Sequence, residues 1–565
     1  MKRGIIVLLI AAGCIGISWG AYQSVASRGP ALSRYVPSGA LLYLQAKDFS
    51  SLLSDWGDSS EKQVWLKAGN YEVFSRSRLF LRLKDANAEF SKAAGVSADT
   101  NLMQQVAGKQ SALAIFDIGK LEFLYITRLP SASSMQSTLW QTRSEFETRS
   151  AGGITFFLRR DPESGREVAF AVTGDYLLLA TREDLLAGAL QLMASGDARS
   201  LETEAWWSQS VASVGAQGDL RMVLNLNKIV PSPYFRSYWV QQNITDMKQY
   251  SAAITDLIRS GTEYREERVL FRKVPATGDP SGVAGPAGVA EILRLVPAQA
   301  GFYEAKANPV PADCLALLET KILTPRQGPA AAEQLAPQVQ LGNGETGASP
   351  DLETRIDQPL TKASAPVDRA AGLKDLLAAN PVSAILWVQS TEEDKDGVFV
   401  RIHSSVALLG QSDWNESAVR ASLVSFVGPS FTTENLGLAW RKNAGYIQFD
   451  GLWTLNVAVR GKYLLISDNP ELLTSLLANS DQKTNRMPAD FAAGFDHQRE
   501  KRNFVRLAGL LETSAGGSGT AVAPDFFSGN IGSLSFALDG LASIQVVIRD
   551  AGDRLNETVT YRWLR

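Results

Sequence analysis

The chain has 565 residues, 45% of them hydrophobic and 20% charged, and a net charge of −3 at pH 7. That length exceeds one ordinary domain, and the composition is that of a chain able to bury a sizeable core. The charge balance gives no global attraction to nucleic acid, which calls for a strongly basic face.

Cysteine and histidine are scarce: Cys14, Cys314, His403 and His497 are the whole set. No disulfide framework or multi-cysteine zinc site can be built from it. Two histidines also argue against a histidine-based metal or acid–base centre.

Residues 1–3 (Met1-Lys2-Arg3) read as a cytoplasmic N-terminus. Residues 4–22, Gly4 to Tyr22, carry no charge. About 20 helical residues cross a hydrocarbon core, so this segment reads as a membrane anchor. Lys2 and Arg3 favour keeping the N-terminus inside, and Trp19 and Tyr22 suit the outer interface. Two other fates stay open. Ser24-Val25-Ala26 resembles a cleavage site, and Ala11-Ala12-Gly13-Cys14 resembles a lipidation site, although the residues after Cys14 remain apolar. No other charge-free stretch approaches the length of a span.

Residues 23–35 read as a linker. Beyond it the chain reads as one unit used twice, over 36–273 and 296–565. Four matches occur in order. Val36-Pro37-Ser38-Gly39-Ala40 resembles Val296-Pro297-Ala298-Gln299-Ala300. Leu102 to Phe116 resembles Leu373 to Trp387. Gly174-Asp175-Tyr176-Leu177-Leu178-Leu179 resembles Gly461-Lys462-Tyr463-Leu464-Leu465-Ile466. Glu267 to Arg272 resembles Glu557 to Arg562. Their spacing drifts steadily, as a duplication with small insertions requires. Residues 274–295, rich in Pro, Gly and Ala, read as a linker between the halves. A second loose stretch, 324–372, replaces region 51–100 of the first half and is expected to be disordered.

Region 51–100 reads as helical. Phe49, Leu52, Leu53 and Trp56 recur at helical spacing, and so do Leu79, Leu83, Ala86 and Phe90. Ser111 to Asp117 and Leu121 to Arg128 form an expected hairpin, matched by Ser383 to Ser390 and Val398 to Leu409. Helices are expected over Ser133 to Glu147 and Asp413 to Phe426. Strands are expected at 154–159, 168–173 and 176–181, and at 437–441, 445–449, 453–459 and 462–467. Helices begin after Thr181 and Asp468, which suit N-caps, and Pro470 suits a first turn. Short turns between strands predict an α+β class, with mainly antiparallel sheets and helices packed on one face.

The chemical motifs give little. Gly16-Ile17-Ser18-Trp19-Gly20 matches a nucleophile elbow but lies in the apolar segment, with no strand–turn–helix context. Gly461-Lys462 lacks the rest of a phosphate loop and reads as a hairpin turn. Glu392 to Gly397 lacks the downstream glutamate of a calcium loop and reads as a solvated hairpin tip. Asp496-His497 has no nucleophile to serve, and the basic run through Arg502 reads as a solvated face. His403 reads as structural. Trp206-Trp207 and Tyr234-Phe235-x-x-Tyr238-Trp239 read as core packing before binding surface. No catalytic, cofactor-binding or metal-binding residue is assigned.

The opening stretch from Val36 to Trp56, after a signal-like helix, resembles an uncharacterised family of bacterial membrane-anchored envelope proteins, known as a domain of unknown function. That resemblance implies a bacterial, membrane-anchored, extracytoplasmic protein and transfers no site residue. The expected location is the bacterial inner membrane, single-pass, with the body in the periplasm. The expected function is a non-catalytic module that binds a protein partner or supports an assembly, without nucleic acid or cofactor. The alternative is a carrier of lipid or another hydrophobic ligand. A carboxylate-based hydrolase is the third reading.

Overall fold

The structure is a computed structural model. It describes residues 30–59, 62–63, 66, 71, 75–76, 78–195, 199–233, 247–275, 284–324, 369–393, 400–431, 439–450, 454–481, 488–500 and 540–564. The apolar segment 4–22 with Cys14 and the Gly16–Gly20 motif lies outside the described residues. So do the Tyr234-Phe235-x-x-Tyr238-Trp239 cluster, residues 325–368 of the second-half insert, the Asp394–Gly397 tip and Lys501-Arg502. No described helix is long and apolar enough to cross a membrane. The chain divides into two compact units, Met1–Ala276 with Asp553–Asn556, and Thr277–Gly552 with Glu557–Arg565.

The first unit is built on β1 (Leu42–Ala46), β2 (Ser111–Asp117), β3 (Glu122–Arg128), β4 (Glu147–Ala151), β5 (Ile154–Arg160), β6 (Glu167–Thr173), β7 (Tyr176–Ala180), β8 (Leu220–Leu224), β9 (Tyr250–Ser260) and β10 (Glu263–Arg272). Their hydrogen-bonded order is β4–β5–β6–β7–β3–β2–β1–β8–β9–β10, antiparallel at each step. The helices used below are α1 (Phe49–Asp58), α2 (Arg78–Ala94), α3 (Thr100–Val106), α4 (Glu183–Ala194) and α5 (Ala205–Ala212).

Successive strand residues face opposite sides of a sheet. Leu178 and Ala180 of β7 join Leu124, Ile126, Leu186 and Leu190 in one core, under α4. Leu177 and Leu179 join Phe170, Phe90, Leu102 and Val106 in another, under α2 and α3. Helices therefore cover both faces of this sheet, where the sequence predicts one. The cause is the unbroken apolar run in β6 and β7, whose central residues are all buried. A run apolar on both sides needs cover on both sides.

The second unit repeats the pattern with β11 (Phe302–Ala307), β12 (Val382–Glu393), β13 (Val400–Gly410), β14 (Ala439–Lys442), β15 (Ile447–Asp450), β16 (Leu455–Arg460), β17 (Tyr463–Ser467), β18 (Phe491–Asp496), β19 (Leu541–Asp550) and β20 (Arg554–Trp563). The order is β14–β15–β16–β17–β13–β12–β11–β18–β19–β20. Its helices include α6 (Ala284–Ile292), α7 (Pro311–Leu318), α8 (Ala371–Ala379), α9 (Glu416–Phe431) and α10 (Pro470–Asn479). Both units are thus mixed helix and sheet, with the sheet mainly antiparallel.

Several local expectations change. The helix expected over Ser133 to Glu147 is instead two short helices, Ser131–Ser134 and Thr138–Gln141, then a 3-10 turn Thr142–Glu145 and strand β4. Ser137 caps the second of these by accepting from Trp140 N, at 3.3 Å, so a Ser-rich stretch restarts the helix rather than continuing it. Residues 284–295, expected as linker, form α6 and a 3-10 turn whose Val289, Ile292 and Leu295 are fully buried.

Thr181 and Asp468 do not cap helices. Arg182 occupies the N-cap of α4 without a side-chain bond, and Asn469 caps α10 by accepting from Leu472 N at 2.7 Å. Thr181 Oγ1 instead accepts from Phe123 N, and Asp468 Oδ1 accepts from Ser404 N, each at 2.8 Å. The same bond therefore ties β3 to the end of β7 and β13 to the end of β17.

A candidate ligand cavity and its charged mouth

The first unit contains a cavity of about 660 Å³ between its sheet and the helices α1 to α3. Its floor is the sheet: Leu44 of β1, Leu113 and Ile115 of β2, Phe123 and Tyr125 of β3, and Leu179 of β7. Its walls are Phe49 of α1, Leu83, Ala86 and Phe90 of α2, and Leu102, Met103 and Val106 of α3. The volume lies within the range of small-molecule sites, which are mostly apolar with a few placed polar groups.

The helices reach this position through their caps. Asp48 Oδ1 accepts from Ser51 N at 3.0 Å and starts α1. Asp99 Oδ1 accepts from Leu102 N at 2.9 Å and starts α3. Asn87 Nδ2 donates to the Ala98 carbonyl at 2.7 Å, which fixes the α2–α3 turn. Tyr125 OH donates to the Val106 carbonyl at 2.9 Å, so a phenol on the floor holds the end of α3. Burial pushes that phenol's pKa above its ordinary value. The apolar residues of the helices are not all covered. Leu83 and Met103 each line the cavity yet remain 42% exposed, so its outer edge is open. Trp56 and Leu81 are also exposed on these helices.

A second cleft, of about 880 Å³, is lined by charged groups and shares two residues with the cavity, Arg166 and Thr181. Arg166 donates through Nη1 to the Lys120 carbonyl at 2.6 Å and through Nη2 to Glu89 Oε2 at 2.9 Å. Its side chain is 9% exposed, and its Nε is buried with no hydrogen-bond partner. Arg82 Nη2 donates to the Gly119 carbonyl at 3.2 Å. Two arginines thus pin the β2–β3 turn, where Leu121 takes a φ of +52° and lines the apolar side. A left-handed leucine is a strained residue held by its surroundings. Arg182 pairs with Asp184, and with Glu122 at 2.7 Å. These partners, Asp184 first, raise its pKa. Glu167 Oε2 accepts from Glu183 N at 2.9 Å.

The residues singled out in the sequence lie elsewhere. Trp207 is buried in the core against Tyr43, with ring centroids 4.8 Å apart, and Trp206 stands edge-on to it. His403 on β13 lies 3.7 Å from Asp468 and 3.4 Å from Glu392. Its pKa is raised, chiefly by the neighbouring Asp468 carboxylate. His497 packs edge-on to Phe495 at 4.6 Å, and burial lowers its pKa. Cys314 is buried in α7. Gly174 and Gly461 occupy hairpin turns with φ of +54° and +55°. Among the described residues no three His, Cys, Asp or Glu side chains are grouped to hold a metal ion.

No protein-family model and no curated protein matches the chain. Solved structures similar to part of it include two crystal forms of TP0453. Crystal form I of TP0453 is 13% identical, covering 44% of this chain and 79% of that one, with a TM-score of 0.25. Crystal form IV of TP0453 is 12% identical, covering 44% and 83%, also with a TM-score of 0.25. At that score the likeness fixes neither fold nor function.

Proposed function

We propose that this chain is a non-catalytic, membrane-tethered extracytoplasmic protein whose first unit binds a hydrophobic ligand. The observation that carries the reading is the apolar cavity under α1 to α3, with Leu83 and Met103 left exposed at its edge. An open apolar space of this size is unfavourable unless something fills it, because burying apolar area is the main favourable term in association. The cavity favours ligand binding over the assembly-support role expected from the sequence. The tether is the apolar segment 4–22, and the mass of the mature chain separates retention from cleavage and from lipidation.

The two units support a duplication. Their strand orders coincide position for position, and the Phe123–Thr181 bond has its counterpart in Ser404–Asp468.

Binding is tested with an apolar fluorophore such as N-phenylnaphthylamine. Its emission rises on addition of the full chain and falls when a long-chain alcohol competes. Ala86→Trp fills the cavity, and Leu83→Arg places a charge at its exposed edge. Each weakens binding about tenfold or more, the equivalent of ~1.4 kcal/mol. Unchanged binding in both variants would remove the reading.

A further inference from the structure

We infer that the ligand is a single-chain amphiphile with a zwitterionic head, its tail in the apolar cavity and its head in the charged cleft. This rests on the cavity being a binding site. Arg166 and Thr181 belong to both spaces, so a molecule passing between them changes from apolar to charged surroundings at that point. Arg166 is the observation that points to a head group. Its side chain is nine-tenths buried, and its Nε has no acceptor. A buried donor without a partner is costly, so this guanidinium carries positive charge that its present partners do not fully satisfy.

The rest of the cleft decides the sign of the head. Four basic and five acidic side chains line it. Glu89 already lies 2.9 Å from Arg166, and Glu122 lies 2.7 Å from Arg182. A bare carboxylate entering here meets these acids and is repelled. A bare ammonium meets Arg166, Arg82 and Arg182. A head with both signs places its phosphate-like oxygens beside the guanidinium groups of Arg166 and Arg182 and its cation against Glu122 or Asp184. Each charge then keeps an opposite neighbour, which is the condition for burying ions without a large penalty.

Calorimetric titration of the full chain, kept soluble in amphipol, tests this with four dodecyl amphiphiles below their micelle concentrations. They are dodecylphosphocholine, dodecanoate, dodecyltrimethylammonium and dodecyl maltoside. Dodecylphosphocholine is expected to bind about tenfold more tightly than each of the others. Arg166→Leu removes that preference, and the far-ultraviolet circular dichroism of the variant shows whether it is folded. Arg182→Gln, at the exposed rim, narrows the preference. Dodecanoate binding as tightly as dodecylphosphocholine overturns the inference, and so does a preference that survives Arg166→Leu. If the maltoside binds and no head is preferred, the cavity reading stands and the head-group inference fails. If none of the four binds, both fail.

Discussion

Arg221 on β8 and Asp256 on β9 face one another across the sheet and are both buried. Arg221 donates to Asp256 through Nε at 2.8 Å and Nη2 at 2.7 Å, and Gly218 N donates to the same carboxylate at 3.1 Å. Removing one partner strands the other charge away from water, whereas replacing both with apolar groups does not. Asp256→Ala is therefore expected to cost about 3–5 kcal/mol in denaturant unfolding, while Arg221→Met with Asp256→Leu costs far less. Equal losses in the two proteins would show that the pair is not acting as a buried ion pair. His403 makes a prediction in pH. Asp468 and Glu392 face it and raise its pKa in the folded chain. A group with a raised folded pKa stabilises fully below its unfolded value, and that stability is lost as pH rises through the folded value. The difference in unfolding midpoint between wild type and His403→Gln should thus be larger at pH 5.5 than at pH 8.5. A difference independent of pH would mean that the charge of His403 plays no part.

The turns joining β6 to β7 and β16 to β17 are legible in the sequence because two residues separate two apolar runs and the first is glycine. In each, glycine alone takes a positive φ, the arrangement of a two-residue hairpin turn. A Cβ at Gly174 meets nothing within 4 Å, and at Gly461 only Asp413 Oδ1 at 3.6 Å. Gly174→Ala and Gly461→Ala should then cost only the left-handed backbone, about 1–2 kcal/mol each. Gly108→Ala should cost more, because its Cβ would lie 2.2 Å from the Arg128 carbonyl oxygen. Thermal unfolding of the three variants gives the ranking, and an equal loss at Gly108 would contradict it. Other elements are harder to read. Every residue of β4 but Ala151 is exposed, so its sequence carries no apolar alternation to betray a strand. Helical spacing places α1 and α2 correctly, yet Trp56 and Leu83 occupy apolar positions of those repeats and stay exposed. Periodicity reports which residues share a face and is silent on whether anything covers it. The cavity is invisible in the sequence for that reason. Arg166 is invisible too, since its environment comes from α2 and the β2–β3 turn, 46 or more residues earlier in the chain.

The two units share a strand order but not what covers the corresponding sheet face. In the first, Tyr125 and Leu179 are paired across β3 and β7 and floor the cavity. Their counterparts by register are Val406 and Ile466, paired across β13 and β17. In the second unit these join a core with Cys314, Leu318, Ile322 and Leu323, all buried and supplied by α7 and the π turn Glu319–Leu323 after it. Chain side chains therefore fill in the second unit the space that stays open in the first. A ligand should consequently protect one unit and leave the other unchanged. At a hundredfold excess over its Kd, a ligand that binds only the folded unit adds about 2.7 kcal/mol. Amide exchange at Leu113 and Tyr125, where it proceeds through openings that expel the ligand, should slow about a hundredfold. Exchange at Val388 and Val406 should not change, and Ala86→Trp should abolish the protection of the first unit. Equal slowing in both units would place the ligand outside this cavity, and no slowing in either would mean that the folded chain binds no such molecule.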